Sequence, residues 1–293
     1  MLSILIPCYN QDCSKLVADL YRQCVMCGSQ FEIIVCDDHS SDKDTINSNN
    51  KIESLAGCSF IKLDKNIGRA AIRNFLAKRS KCDTLLFLDC DAEVRSNDFI
   101  EKYIEAGKRS TVVCGGLVHS NTPPAIGHEL RYKYEKNADK NRRAKYRSIS
   151  PYSHFSTFSF MIKRDVFLEI GFDEHFVQYG YEDVLFGIKL KEKEIAIEHI
   201  DNPLIHTGIE TNEIFLKKTE TAIKILSGMH DKFNNDTTLL KWYATADKMY
   251  LSGVLNLIWI IFHKLMRKNL LSRHPALFFF SLYKVSLFAH INR

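Results

Sequence analysis

In the stretch "LLFLDCDAEV", four large apolar residues, Leu85 to Leu88, run into Asp89 and Asp91. On an extended strand, residues two apart leave the same face, so this spacing would carry two carboxylates to one spot. Close carboxylates repel unless a cation lies between or beside them. A hard divalent ion, Mg²⁺ or Mn²⁺, takes such oxygens and shares itself with substrate phosphates. The chemistry on offer is therefore metal–phosphate chemistry. The alternative is structural, with aspartate as the hydrogen-bonding filler of a turn.

The elements that would position these acids follow from the pattern upstream. "LSILIP", "FEIIVCD", "CSFIKL", "DTLLFLD" and "STVVCGGLV" read as strands, with helical stretches around 14–26, 42–54 and 68–79 between them. Strands alternating with helices predict an α/β fold, a mostly parallel sheet with helices on both faces. Continuous apolar strands fit burial on both sides. Polar residues punctuate the strand ends: Tyr9 and Asn10 in "IPCYN", Asp37 and Asp38 in "VCDDHSSD", Asn66 in "NIGRAAIRN", and Asp89 and Asp91 in "LLFLDCD". Open α/β sheets bind ligands beyond the carboxyl ends of their strands, so these residues predict one composite site. "SHFSTFSF" (153–160) reads as a further strand lining it.

At 293 residues, 45% hydrophobic and 26% charged, the chain can bury a substantial core. The N-terminal "MLSILIPCYN" lacks a basic leader region and breaks at Pro7, as a first strand does and a signal peptide does not. Nine cysteines, an odd number, lie between Cys8 and Cys114 without paired spacing, which favours a reducing cytosol. Cys24 and Cys27 form a CxxC, but no second pair follows to complete a zinc module. The net charge of +5 is uneven: residues 1–240 carry 32 Lys/Arg against 34 Asp/Glu, and residues 241–293 carry 8 against Asp247 alone. The slightly acidic main body gives nucleic-acid binding no support.

Taken in order, "IPCYN", "VCDDHSSD", "NIGRAAIRN", "LLFLDCD" and "GFDEHFVQYGYEDVLFGIKL" resemble a family 2 glycosyltransferase of the GT-A fold, over roughly residues 1–225. The resemblance implies an inverting transfer from a nucleotide-diphospho-sugar, a UDP-sugar, to a hydroxyl of a glycan or glycolipid in cell-surface polysaccharide synthesis. It implies that Pro7, Tyr9, Asn10, Asp37 and Asp38 hold the nucleotide, with Asp38 foremost at the base. Asn66, Arg69 and Arg73 would line the nucleotide side, and Asp89 the ribose or sugar. Asp91 and His206, in "DNPLIHTGIE", would hold Mn²⁺ or Mg²⁺. Asp183 would be the general base and Glu182 would position the acceptor. The residue chemistry agrees: a carboxylate accepts a uracil N–H, and a guanidinium forks onto diphosphate oxygens. Each assignment has a structural alternative. Arginines on a helix serve as surface charges, acids at a helix N-terminus oppose its dipole, and His206 could pack under a helix starting near Asn212 while His199 ends a strand. Two positions depart from the family pattern, His39 where a small residue is common and Lys189 where arginine is common.

Catalytic boundaries are expected at 1–237, with a nucleotide-binding half (1–115) and an acceptor half (116–237), followed by a helical extension (238–293). The charged stretch 128–150 reads as a helix and loop over the site. "YLSGVLNLIWIIF" and "PALFFFSLY" are charge-free, flank the basic "HKLMRKNLLSRH", and are each too short to span a bilayer. Three readings fit: peripheral contact with the inner face of the cytoplasmic membrane, packing on the catalytic domain, or a homodimer interface. Two other functional classes fit the sequence less well. A nucleotidyltransferase wants a glycine-rich loop after strand one, whereas the first glycine here is Gly28. A non-catalytic sugar-binding module predicts losses at the metal or base positions, yet Asp91, Asp183 and His206 are present.

Overall fold

The computed structural model describes residues 1–120, 122–176, 180–233 and 237–293. Contacts divide the chain into two compact units, one of Met1–Ser120, Asn141–Val177 and Lys189–Gly208, the other of Asn121–Lys140, Gln178–Ile188 and Ile209–Arg293. The strands are β1 (Leu2–Cys8), β2 (Phe31–Asp37), β3 (Cys58–Lys62), β4 (Thr84–Leu88), β5 (Ala92–Glu93), β6 (Val112–Cys114), β7 (Leu117–His119), β8 (Ser159–Lys163), β9 (Ile197–His199) and β10 (Leu204–His206). The helices are α1 (Ser14–Met26), α2 (Lys43–Asn50), α3 (Arg69–Arg79), α4 (Phe99–Gly107), α5 (Glu129–Asp139), α6 (Ala144–Arg147), α7 (Arg164–Ile170), α8 (Glu182–Glu192), α9 (Asn212–Gly228), α10 (Thr238–Lys248), α11 (Ser252–Leu270) and α12 (Leu277–Ile291).

The first unit is a mixed α/β body. Its seven-stranded sheet runs β3-β2-β1-β4-β8-β6-β9. Strands β3, β2, β1 and β4 are mutually parallel, and β8 is antiparallel to both β4 and β6. Leu85 to Leu88 are fully buried, as expected of a strand covered on both faces. Phe87 stacks on Phe160 at 4.9 Å and on Phe167 at 4.8 Å, tying β4, β8 and α7 together. Pro7 is tolerated in the central β1 because pairing with β4 stops at Leu5, so no ladder bond needs its missing N–H.

A second, three-stranded sheet, β5-β10-β7, stands beyond the end of β4. It pairs His206 with Ala92 on one side and with His119 on the other. One sequence expectation changes here. The 153–160 stretch is not one strand, because Tyr152–His154 is a 3-10 turn and β8 begins only at Ser159. His206 closes strand β10.

The second unit is helical. Within it, α11 packs on α12 through Trp259 and Tyr283, whose rings meet edge to face at 4.9 Å, and through a 2.8 Å hydrogen bond between His290 and Asn256. The basic stretch after "LNLIWIIF" continues α11 as far as Leu270, and its last residues, Leu271 to His274, lie in the connection to α12.

Candidate functional site

Strand β4 ends at Leu88, so Asp89 and Asp91 leave a turn and not an extended strand. This corrects the expectation of one shared face, and the turn sends the two acids to different partners. Asp89 Oδ1 accepts from Arg73 Nη2 at 2.6 Å, while Asp91 Oδ2 lies 3.0 Å from His206 Nε2. The carboxylate repulsion that raised the question in the sequence is thus relieved by separate partners.

Arg73 projects from α3 and is buried, with Nη1 donating to the Arg69 carbonyl at 3.1 Å and the Phe172 ring 5.8 Å from its Cζ. It therefore stands behind Asp89 and fixes that carboxylate. Removing one member of a buried pair strands the other charge, at a cost of about 3 kcal/mol. Arg73→Met is expected to lower Tm by roughly 6 °C or more. Arg73→Met combined with Asp89→Leu should recover part of that loss in thermal melts; no recovery would remove the ion pair as the cause.

The turn around Asp91 is held by its backbone. Its carbonyl accepts from Thr207 N at 2.9 Å and from Thr207 Oγ1 at 2.8 Å. Gly208 lets the carboxylate approach closely: a Cβ there would meet Asp91 Oδ2 at 2.2 Å and displace it. His206 is buried and gripped edge-on by Phe158 at 5.3 Å and His119 at 5.6 Å. His119 has Arg142 Nη1 3.2 Å from its Nδ1. Sequence reasoning passed over His119; the one available signal was the alternation in "LVHS", whose strand end is set by pairing with β10.

The donor atoms on Asp91 and His206 fit a divalent ion. A carboxylate oxygen and an imidazole nitrogen suit Mn²⁺ in particular. Adjacent ligands about 2.1 Å from an octahedral ion lie roughly 3 Å apart, the separation these two atoms already have. His199 does not offer this. Its Nδ1 lies 2.6 Å from Arg147 Nη1 and its Nε2 3.0 Å from the Pro151 carbonyl, and burial pushes the ring down to about 4.

Along the same strand ends, Asp37 closes β2, Asp38 follows it, and both are buried. Asp38 accepts from the backbone N–H of Ile67 at 2.7 Å and of Gly68 at 3.0 Å, while Asn66 donates to the Asp38 carbonyl at 3.0 Å. Burial raises the Asp38 carboxyl above its ordinary range, against the pull of these two N–H groups. Gly68 begins α3 with φ +85°, a conformation costly to other residues, which is what lets its N–H face the carboxylate. Asp37 accepts from Ser40 N at 3.0 Å and from the Ser40 hydroxyl. Asn10 takes the N–H groups of Ser41 at 2.9 Å and Asp42 at 3.1 Å on its Oδ1. Asn10 and His39 both adopt left-handed backbone, φ +49° and +64°, so His39 fills its turn position in a conformation more often given to glycine or asparagine. Tyr9, Asn10, Asn66 and Arg69 are exposed around this rim, and Pro7 is partly so.

In the second unit, Glu182 and Asp183 occupy the first turn of α8, where acids oppose the helix dipole. Leu185 and Ile188 are buried beneath them, as is Leu190 further along the helix. Asp183 Oδ1 accepts from Val184 N at 2.8 Å, and Glu182 Oε2 from Gly180 N at 3.3 Å. Residues 177–179 of the matching segment lie outside the described residues.

The family whose sequence pattern matches is "Glycosyl transferase family 2", over residues 3–171. The chain is 24% identical over 285 residues to an uncharacterized glycosyltransferase, YfnE, of Bacillus subtilis, covering 81% of this chain and 71% of that one. It spans less than half the length of four other relatives. A structure of Staphylococcus aureus TarS 1–349 in complex with UDP superposes with a TM-score of 0.51 at 16% identity, covering 99% of this chain and 90% of that one. The mannosyltransferase PcManGT of Pyrobaculum calidifontis, in complex with GDP-Man and Mn²⁺, gives 0.56 at 11% identity, covering 99% and 85%. With more than half of its length matched and with the α/β architecture of solved glycosyltransferases, this chain belongs to glycosyl transferase family 2 and is a glycosyltransferase of GT-A fold.

Proposed function

We propose that the protein is a metal-dependent, inverting enzyme that moves a sugar from a UDP-sugar to a hydroxyl of a glycan or glycolipid acceptor in cell-surface polysaccharide synthesis. The observation that carries the reading is the 3.0 Å approach of Asp91 Oδ2 and His206 Nε2 at the end of the strand series that also presents Asp37 and Asp38. Asp91 and His206 would hold Mn²⁺ or Mg²⁺. Such an ion, when bound, offsets the negative charge that builds on the departing diphosphate. UDP is favoured over GDP by the UDP complex of TarS, although PcManGT, with GDP-Man, makes the guanine alternative worth testing directly.

The chain's own residues do the rest. Asp38, set between the Ile67 and Gly68 amides, shapes the base-binding end, with Asp37 and Asn10 holding the neighbouring turn in register. Arg69, exposed at the start of α3, would meet diphosphate oxygens. Asp89, held by Arg73, presents its remaining oxygen to the ribose or sugar. Asp183 takes the acceptor hydroxyl's proton as that oxygen attacks the anomeric carbon, and Glu182 steadies the turn that carries it. All nine cysteines are free, which suits work in a reducing cytoplasm.

Calorimetric titration of the purified protein with UDP and with GDP, each with and without Mn²⁺, tests this reading. UDP binding that strengthens at least tenfold with Mn²⁺ is expected. Tighter binding of GDP would overturn the donor assignment, and nucleotide binding indifferent to Mn²⁺ and Mg²⁺ would overturn the metal assignment.

A further inference from the structure

Helix α11 has two apolar faces where a helix of a globular body needs one. Asn256, Met266 and Leu270 are buried, and Trp259 packs against Tyr283 of α12. On the opposite side Val254, Leu257, Ile261 and Leu265, spaced by three, four and four residues, form an outward stripe flanked by Phe262, each between 45% and 64% exposed. Scattered exposed apolar residues are ordinary, but a contiguous row along one helix marks an interaction surface. Lys264 and Lys268 lie one turn apart along the edge of this stripe, both exposed, and neither forms an ion pair among the described residues. Arg267, by contrast, is turned away onto Glu213.

Charge and length decide what covers this face. Residues 241–293 hold 8 Lys/Arg against Asp247 alone, so a second copy would bring like charge against like, whereas an anionic surface would be attracted. No single helix among the described residues is long and apolar enough to cross a membrane; α10 and α11 reach that length and apolarity only as a pair bent by 114°. A 19-residue helix with an apolar stripe and a lysine edge suits lying in the lipid headgroup layer, with the lysine stems reaching up to the phosphates.

We propose that the outward face of α11, Val254–Leu257–Ile261–Leu265 with Lys264 and Lys268, is a docking surface for an anionic lipid bilayer. The proposal is independent of the donor and metal assignments, because none of these residues belongs to the nucleotide or metal set.

The test is flotation of the full chain with vesicles of phosphatidylcholine alone and of phosphatidylcholine with 30% phosphatidylglycerol, at low and high salt. The protein is expected to float with the anionic vesicles at least tenfold more than with the neutral ones. Leu257→Glu/Ile261→Glu/Leu265→Glu should abolish flotation at unchanged circular dichroism. Lys264→Glu/Lys268→Glu should reduce it several-fold and remove most of its salt dependence; this second variant keeps the test sharp if the first does not fold. Flotation unaffected by either variant overturns the proposal. So does failure of the unaltered protein to float. Sedimentation of that protein as a dimer that the triple substitution dissociates would assign the face to self-association instead.

Discussion

Asp91→Asn is expected to lower sugar transfer by about a thousandfold and to abolish the metal-dependent part of UDP binding, at a Tm close to that of the unaltered protein. The size follows from electrostatics. Neutralising diphosphate charge with a bound cation contributes several kcal/mol to a transition state, and about 4 kcal/mol is roughly three decades in rate. An asparagine oxygen remains at the same place but carries no full charge, and a hard dication holds it weakly. The fold should be insensitive, because Thr207 bonds the backbone carbonyl of Asp91 and not its carboxylate. His206→Ala is the companion in the same experiment. It removes the imidazole but leaves the charge, so weaker metal binding with a smaller rate loss is expected. Retention of Mn²⁺-dependent UDP binding by Asp91→Asn would show that the ion is held elsewhere.

The same pair shows what was legible in the sequence. Strands β1 to β4 were readable because each is an uninterrupted apolar run that ends in polar residues, and α1 spans the residues its periodicity indicated, Ser14–Met26. The identity of Asp91 and His206 as candidates was readable from residue type and from the order of the motifs. Their approach was not, because it is made by a three-stranded sheet whose strands are two or three residues long and far apart in sequence. Such short pairings leave no periodic signature, since their register is imposed by tertiary packing. For the same reason His119 passed unnoticed, and β8 began later than its apolar residues indicated. The Arg73–Asp89 ion pair joins residues 16 apart on a helix and beyond a strand, so spacing alone could not separate a ligand-facing arginine from a buried anchor. In α11 the sequence showed an apolar run and a basic one, but only packing against α12 distinguishes the buried face from the outward face.

The second large effect concerns the proton and leaves the nucleotide untouched. Asp183→Asn is expected to reduce kcat for transfer by about 10³–10⁴-fold, the range typical of losing a positioned general base, while UDP affinity in the presence of Mn²⁺ stays within about twofold of its original value. Asparagine preserves the local structure, because its side-chain oxygen can still accept from Val184 N–H, the contact made by Asp183 Oδ1 at 2.8 Å. The first turn of α8 then keeps Glu182 and its bond to Gly180, so a Tm change of more than a few degrees is not expected. What asparagine cannot do is accept the acceptor's proton at neutral pH. The residual rate should therefore lose the acid-side fall that a titrating base produces, and this separates a base from a residue that only caps the helix. Asp183→Glu, which retains a carboxylate one methylene further out, should recover part of the activity if proton transfer is the role. Transfer by Asp183→Asn at close to the original rate would return Asp183 to a purely structural place opposing the dipole of α8, and would direct the search for the base to other residues of the helical unit.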